Sequence, residues 1–407
     1  MRSILDHPSR YLKVKDGGQR LRTLYRQETL NFDTSRISSF ALSCVVGVLQ
    51  EVKKYFGKGQ DPDLHGTETS FEFGYATLVV YGAQRVQEGV AQHYEIMEYL
   101  ISQGLPLGSQ DIVGSTALHH LVNVPVERSD LVRLLLTKGA NANHRNRYGE
   151  VPLFAAFQLK LFKSADILLE FGADLDVAEA DGITPRQSFI RCGPEITAVV
   201  SKWLRRRSGE EEGSRAEKAC GACGRNDVSL MNCMKCQVMR YCSAQCQRQH
   251  WPVHKTKCQP FAPANTVLLK PYFEPKGADY HMRPLDDLLR QATGLPTEPL
   301  RERETRPARI PRATAEGDSK PLIIKIQASV DPQTLEPLSG HDFLVYTKKR
   351  DLVCRIRRED NGIQYDKIAK VVKEKGVQGT KIYLAAELES RELLSVKTSE
   401  VLEVQPF

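Results

Sequence analysis

The sequence predicts a multidomain protein: an α-helical solenoid, then a compact cysteine- and histidine-rich module, then a small α+β domain. Three observations carry this expectation. Glycine-punctuated segments recur with a period near 33 residues, seven of the ten cysteines crowd between Cys220 and Cys258, and alternating apolar residues take over after Pro321.

The bounds are set first. A chain of 407 residues holds roughly two to four domains. Its net charge of +7 permits acidic partners without arguing for nucleic acid. "MRSILDHPSR" lacks the apolar core of a secretory signal. The longest apolar run, "ISSFALSCVVGVLQ", is shorter than the roughly 20 residues a membrane span needs and carries three serines. Ile37, Phe40, Ala41, Cys44, Val45, Val48 and Val52 recur at helical spacing, which predicts one buried helix. An intracellular protein of the cytoplasm or nucleus, without membrane association, is expected. Residues 1–66 read as an N-terminal helical region.

The repeat follows. "GSTALHHLVNVPVERSDLVRLLLTKGANANHRNRYG" aligns with "GEVPLFAAFQLKLFKSADILLEFGADLDVAEADG"; their opening glycines and the next, Gly114, Gly149 and Gly182, lie 35 and 33 residues apart. "DLVRLLL" and "SADILLE" are short amphipathic helices, each stopping at a glycine (Gly139, Gly172) where a left-handed residue suits a helix end. A polar turn then leads into the next unit. A looser unit, Gly74 to Gly114, precedes these, and "DGITPRQSFIRCGPEITAVVSKWL" reads as a terminal cap. The period and the "TALHH" and "VPLFAA" segments resemble the ankyrin repeat, with Ala117 where that family has proline. The resemblance implies about four units over 67–204 and makes His119 the structural histidine of its turn, with no catalytic role for His119 or His120.

"RRRSGEEEGSRAEK" reads as a charged linker, 205–217. After the cysteine cluster, 259–319 reads as mostly flexible linker: "GLPTEPLRERETRPARIPRATAEGDSK" is proline-rich and charged, and "YHMRPLDDLLRQATG" is one short helix. From 320 to 407, "PLIIKIQASV", "HDFLVYTKK", "DLVCRIRRE", "TKIYLAAEL" and "LLSVKTSEVLEV" read as strands, and "YDKIAKVVKEKG" as an amphipathic helix ending at Gly376. This small α+β domain has no role that the sequence reveals. "GVQGTK" lacks the spacing of a phosphate loop.

The cluster, 218–258, holds Cys220/Cys223, Cys233/Cys236, Cys242/Cys246 and Cys258, four residues after His254. Without an export signal, a disulfide framework is disfavoured, and thiolates on a metal in a reducing compartment fit better. Cys44, Cys192 and Cys354 read as core residues. Seven cysteines and one histidine make eight ligands, which suits two closed tetrahedral zinc sites better than an iron–sulfur cluster. Spacing leaves open whether the half-sites pair sequentially or interleave, and whether His250 or His254 is the ligand. Cys246, His250, His254 and Cys258 are each four apart, but Pro252 predicts a break into two short turns.

The spacing C-x2-C-x9-C-x2-C-x5-C-x3-C-x7-H-x3-C, with Tyr241, Gln247, Trp251 and Lys255, resembles the MYND-type zinc finger over its whole length. The resemblance implies a small treble Cys/His finger with two interleaved structural Zn²⁺: one on Cys220, Cys223, Cys242 and Cys246, the other on Cys233, Cys236, His254 and Cys258. His250 falls outside the ligand set and is assigned to the surface. It also implies recruitment of protein partners, in some members through proline-containing peptides, with Gln247 and Trp251 at positions associated with the groove. Trp251 either offers a platform for such a peptide or packs the finger's small core. With both ions bound, seven basic side chains, one acidic one and seven thiolates leave about +3, a weak nucleic-acid footprint.

The expected function is a non-enzymatic, zinc-binding adaptor that holds partners on the array's concave face and on the finger. A nucleic-acid-associated transcriptional regulator is the alternative. A SET-type protein-lysine methyltransferase is less favoured, because no N-H-S-C-x-P-N-like segment is present.

Overall fold

The computed structural model describes residues 1–29, 33–57, 61–86, 91–209, 219–274, 320–330 and 337–404. The expected helix at 280–294, the proline-rich segment after it and residues 210–218 of the charged linker lie outside them. The chain forms two compact units, Met1–Trp203 and Leu204–Phe407.

The first unit opens with helices α1 (Arg2–Leu5), α2 (Gly18–Thr29), α3 (Ser39–Val46) and α4 (Leu49–Lys53). The expected single helix over Ile37–Val52 is therefore two. Gly47 turns left-handed at φ 87° between them, and Val46 and Val48 are exposed. The break has a packing cause: a Cβ on Gly47 would lie 2.7 Å from the His93 ring, whose Nε2 donates to Val45 O at 2.9 Å. A short hairpin, β1 (Thr67–Glu68) with β2 (Phe73–Gly74), leads into four helix pairs: α5 (Tyr75–Ala83) with α6 (His93–Ser102), α7 (Ala117–Leu121) with α8 (Ser129–Thr137), α9 (Pro152–Gln158) with α10 (Phe162–Glu170), and α11 (Pro185–Ser188) with α12 (Pro194–Ser208). Successive pairs stack α5 on α7, α7 on α9, and α8 on α10. Leu118, Leu121, Leu131, Leu135, Leu153, Phe157 and Leu168 are all at most 1% exposed between them.

The turns repeat one device. In each, an Asp111, Asn146 or Glu179 side chain accepts two backbone N–H groups at 2.9–3.1 Å, and the glycine that follows (Gly114, Gly149, Gly182) is left-handed. Neighbouring turns are tied by Arg147 N–H to Val113 O at 2.7 Å and Ala180 N–H to Tyr148 O at 2.9 Å. His119 is spent on this frame: its Nδ1 accepts from the Thr116 N–H at 3.3 Å and its Nε2 donates to Glu150 O at 3.1 Å in the next repeat. Helix α12 runs through Arg205–Ser208, so the first residues of the expected linker are helical. Three arginines at its C-terminal end suit the helix dipole.

The second unit contains the cysteine cluster and one six-stranded antiparallel sheet. The cluster is built from β3 (Met231–Asn232), β4 (Arg240–Tyr241) and α13 (Ala244–Lys257). The sheet comprises β5 (Thr266–Leu269), β6 (Lys320–Gln327), β7 (Phe343–Thr347), β8 (Val353–Ile356), β9 (Lys381–Ser390) and β10 (Leu393–Lys397), in the order β5-β10-β9-β6-β7-β8. Helix α14 (Arg358–Lys375) buries Tyr365, Ile368 and Val372 against Ile324, Ile326, Val345, Ile356, Leu384 and Val396. It starts before the expected residue 365 and is interrupted at Gly362, φ 46°.

Strand β5 corrects the expectation of linker over 259–319. Its short alternation places Val267 and Leu269 in the core, 5% and 1% exposed, and Leu268 outside at 52%. Four residues beside the finger carry too little periodicity to be read as a strand. Beyond β5, Tyr272 exchanges two backbone hydrogen bonds with Arg355 of β8, at 2.8 and 2.9 Å, so the two edges of the sheet are joined. Cys44 and Cys354 are core residues, and burial pushes both thiols up to about 12; Cys192 is only half-buried.

Candidate metal centre

Each pair of cysteines is presented by a tight local structure. Cys220 N–H donates to Arg225 O at 2.8 Å, and Gly224 closes the first knuckle with φ 71°. Gly221 backs onto Met239, whose Sδ would be 2.5 Å from an added Cβ. Between β3 and β4, Cys233 N–H donates to Met239 O at 2.8 Å and Gln237 N–H to Cys233 O at 2.9 Å. Gln237 takes φ 60° there, a left-handed position that a glycine would fill at less cost. Ser243 caps α13 by accepting the Cys246 N–H at 3.1 Å.

These elements gather the eight side chains into two groups, Cys220/Cys223/Cys242/Cys246 and Cys233/Cys236/His254/Cys258, with the donor atoms of each group within 4.8 Å of one another. Cys242 Sγ lies 3.6 Å from Cys223 Sγ and 3.5 Å from Cys246 Sγ, and Cys236 Sγ lies 3.6 Å from His254 Nε2. Tetrahedral ligands about 2.3 Å from a zinc ion stand roughly 3.8 Å apart. The two clusters are therefore compatible with two zinc ions, and their halves alternate along the chain.

Electrostatics favours a cation at each group. Burial opposes ionisation of Cys220, but the backbone N–H groups of Cys223, Cys242 and Ala222 outweigh it and bring its thiol down to about 6. Cys242 is pushed up to about 12, first by its contacts with Cys246 and Cys223. Burial, then Cys236 and Cys233, push Cys258 up to about 12. The sulfurs of each group cannot all ionise side by side unless a dication offsets their charge. Burial, followed by the neighbouring His250, lowers His254, which favours the neutral imidazole a metal requires.

Helix α13 corrects the expected break. It runs unbroken through Pro252. Pro252 and Arg248 are both exposed, so the Arg248 carbonyl that loses its helical partner is open to water. The unbroken helix does not bring Cys246, His250 and His254 to one ion. Each step of four residues drifts by about 40°, so Cys246 and His254 end about 80° apart and serve different groups. His250 falls between them. Its Nδ1 meets Tyr241 Oη at 3.1 Å, and its ring stacks over His254 with centroids 6.2 Å apart. His250 is thus half-buried packing in the finger, a correction to its assignment to the surface.

Gln247 and Trp251 stand four apart on α13, both half-buried. Trp251 meets the His254 ring edge-on at 5.8 Å, and Lys235 Nζ lies 5.2 Å over its face. Met234 and Val253 nearby are 80% and 60% exposed. No signal in the sequence marks the Tyr241–His250 contact.

A stacked helix-pair array and a cross-braced Cys/His module define a repeat protein with a treble zinc finger. Comparison with known proteins sharpens both halves. Residues 220–258 match the family model of the MYND finger, and residues 86–179 match three copies of the ankyrin repeat. An ankyrin repeat protein of Rickettsia felis is 28% identical over 152 residues, 32% of this chain and 67% of the relative. The human histone-lysine N-methyltransferase SMYD3 is 44% identical over 48 residues, 12% of this chain and 11% of that enzyme. The E3 ubiquitin-protein ligase KEG of Arabidopsis thaliana is 33% identical over 89 residues, 22% of this chain and 5% of the relative. The chain carries ankyrin repeats and a MYND-type zinc finger, and it spans only about a tenth of the methyltransferase it matches. Among the described residues no helix is long and apolar enough to cross a membrane.

Proposed function

We propose that this protein is an adaptor that holds protein partners on its ankyrin array and on its MYND-type finger, with two structural zinc ions on the two ligand groups. The observation that carries the reading is the closure of both groups: each offers four protein donors, the full complement of a tetrahedral structural ion. The zinc, when bound, supplies fixed geometry. The chain's own residues do the rest: Cys246 and His254 pin two levels of α13, and the helix then holds Gln247 and Trp251 at a fixed spacing.

Trp251 packs against the His254 ring, carries Lys235 over its face and is half-exposed, so it stiffens the finger and still offers ring surface to a proline-containing peptide. Likeness to lysine methyltransferases is confined to the finger and supports the metal module rather than the reaction. The nucleic-acid alternative has only a mild charge behind it, +7 over the chain and about +3 over the metal-bound finger.

Affinity purification tests the reading. Protein partners recovered by the intact chain are expected to fall into two sets, one lost with Trp251→Ala and one retained. Recovery of no protein that depends on Trp251 or on the array refutes it.

A further inference from the structure

The turn face of the ankyrin array is already occupied. Residues 5–14 cross it from the end of α1 to a 3-10 turn at Val14–Asp16, bending through Pro8–Tyr11, and most of the contacts are to the segment's main chain, as for a bound peptide. The Arg147 guanidinium donates to four carbonyls in this segment: Leu5 O at 3.0 Å, His7 O at 2.6 Å, Arg10 O at 2.6 Å, and Ser9 O. Leu12 N–H donates to Arg147 O at 2.9 Å, and Val14 N–H donates to the Asp181 carboxylate at 3.0 Å. The Arg145 guanidinium lies 3.9 Å over the Tyr11 ring. Arg145, Arg147 and Asp181 belong to two successive repeat turns, so the segment bridges neighbouring repeats.

The attachment has the character of a ligand rather than of core. Leu12 is the only buried apolar side chain among residues 1–16, at 0% exposure; Val14 is 52% exposed. Helix α2, by contrast, is anchored by buried Leu21 and Tyr25. The two parts meet at Gly17–Gly18, where Gly17 takes φ 93° and a Cβ on Gly18 would lie 2.7 Å from Leu12 O. A glycine pair at that boundary is a ready hinge. The seating is also incomplete: an open cavity of about 650 Å³ remains between Tyr11, Lys13, Arg145 and the turn at Ala178–Ala180.

We propose that residues 5–14 are a displaceable internal ligand of the turn face, and that this face takes a peptide bent in the same way, with a leucine directly after an aromatic residue. Such a peptide reproduces the stacking under Arg145, the buried leucine, the run of carbonyls for Arg147 and the N–H for Asp181. A partner of this kind competes with the chain's own segment, which keeps the face closed in its absence. The proposal deepens the adaptor reading for the array alone, and its test does not involve Trp251.

The test uses the full chain and a fluorescein-labelled synthetic peptide of residues 5–16. Leu12→Asp in the chain weakens the internal segment and leaves Arg147 and Asp181 intact. Fluorescence anisotropy is expected to show peptide binding to Leu12→Asp at least tenfold tighter than to the wild type, and loss of that binding when Arg147→Ala is added. Equal affinity for wild type and Leu12→Asp overturns the proposal. Hydrogen exchange on the wild-type chain guards against misfolding of the variant. The Leu12 and Val14 amides are expected to exchange at least tenfold faster than core amides of α8 and α10. Equal protection means that the segment opens only when the whole unit unfolds, which also overturns the proposal. Persistence of Trp251-dependent partners in either case leaves the adaptor reading standing.

Discussion

Replacing His254 by alanine removes one of four donors from the second ligand group and leaves the first group whole. The finger has little else to hold it. Among its described residues the buried apolar side chains other than cysteines are Val238 and Tyr241, 4% and 1% exposed. At about 1.5–3 kcal/mol for each large side chain, they contribute roughly 3–6 kcal/mol. A structural zinc contributes about 10–16 kcal/mol to a finger of this kind. Loss of the second ion thus outweighs all the apolar burial in the module. Elemental analysis of purified His254→Ala is expected to give one zinc per chain against two for the wild type. Exchange mass spectrometry is expected to show lost protection at the Cys233 and Gln237 amides, which close the second knuckle. His250→Ala is the control. It removes a side-chain contact to Tyr241 worth about 1 kcal/mol and is expected to keep both ions. Two zinc ions in His254→Ala, or one in His250→Ala, refutes the ligand assignment.

Further outcomes follow from the same geometry. Trp251→Ala is expected to retain two zinc ions by elemental analysis while losing finger-dependent partners in pull-downs, because Trp251 belongs to neither ligand group. In the array, burial holds His119 down at about 4. Its folded value lies below the ordinary 6.5, so the stability it contributes is complete above about pH 6.5 and is lost as pH falls towards 4, by roughly 3 kcal/mol. Urea titrations over that range are expected to show the loss, and His119→Gln is expected to flatten the profile. Gly82→Ala places a methyl 2.0 Å from Val45 O and 2.5 Å from His93 Nε2. A backbone contact of that kind cannot relax cheaply, so a loss of about 3 kcal/mol or more is expected, a fall in Tm of roughly 6–12 °C for a unit of this size. An unchanged melt shows that α3 and α5 have room to separate.

Most of the site was legible because its signals are local. Knuckle spacing marks metal ligands, and a near-33 period with glycine at each helix end marks a repeat. Misreadings arose where distant packing decided a local matter. Gly47 looked like a tolerable residue inside a helix until the His93 ring occupied the space beside it. Pro252 looked like a helix break, yet its solvent-facing position leaves the unpaired carbonyl to water. His250 lay outside the ligand set on the family spacing, and only the placement of Tyr241 beside its ring drew it from the surface into the packing of the finger.

By itself, then, the sequence determined the order of modules, the eight candidate ligands and the glycines that end each repeat. Tertiary structure alone decided three things: that β5 joins β10 across more than a hundred residues, that Tyr272 links β5 to β8, and that residues 5–14 lie on the turns of Arg147 and Asp181. The physical reason is common to all three. These contacts are made largely by backbone N–H and carbonyl groups, which nearly every residue carries, so they leave no residue type in the sequence to mark them.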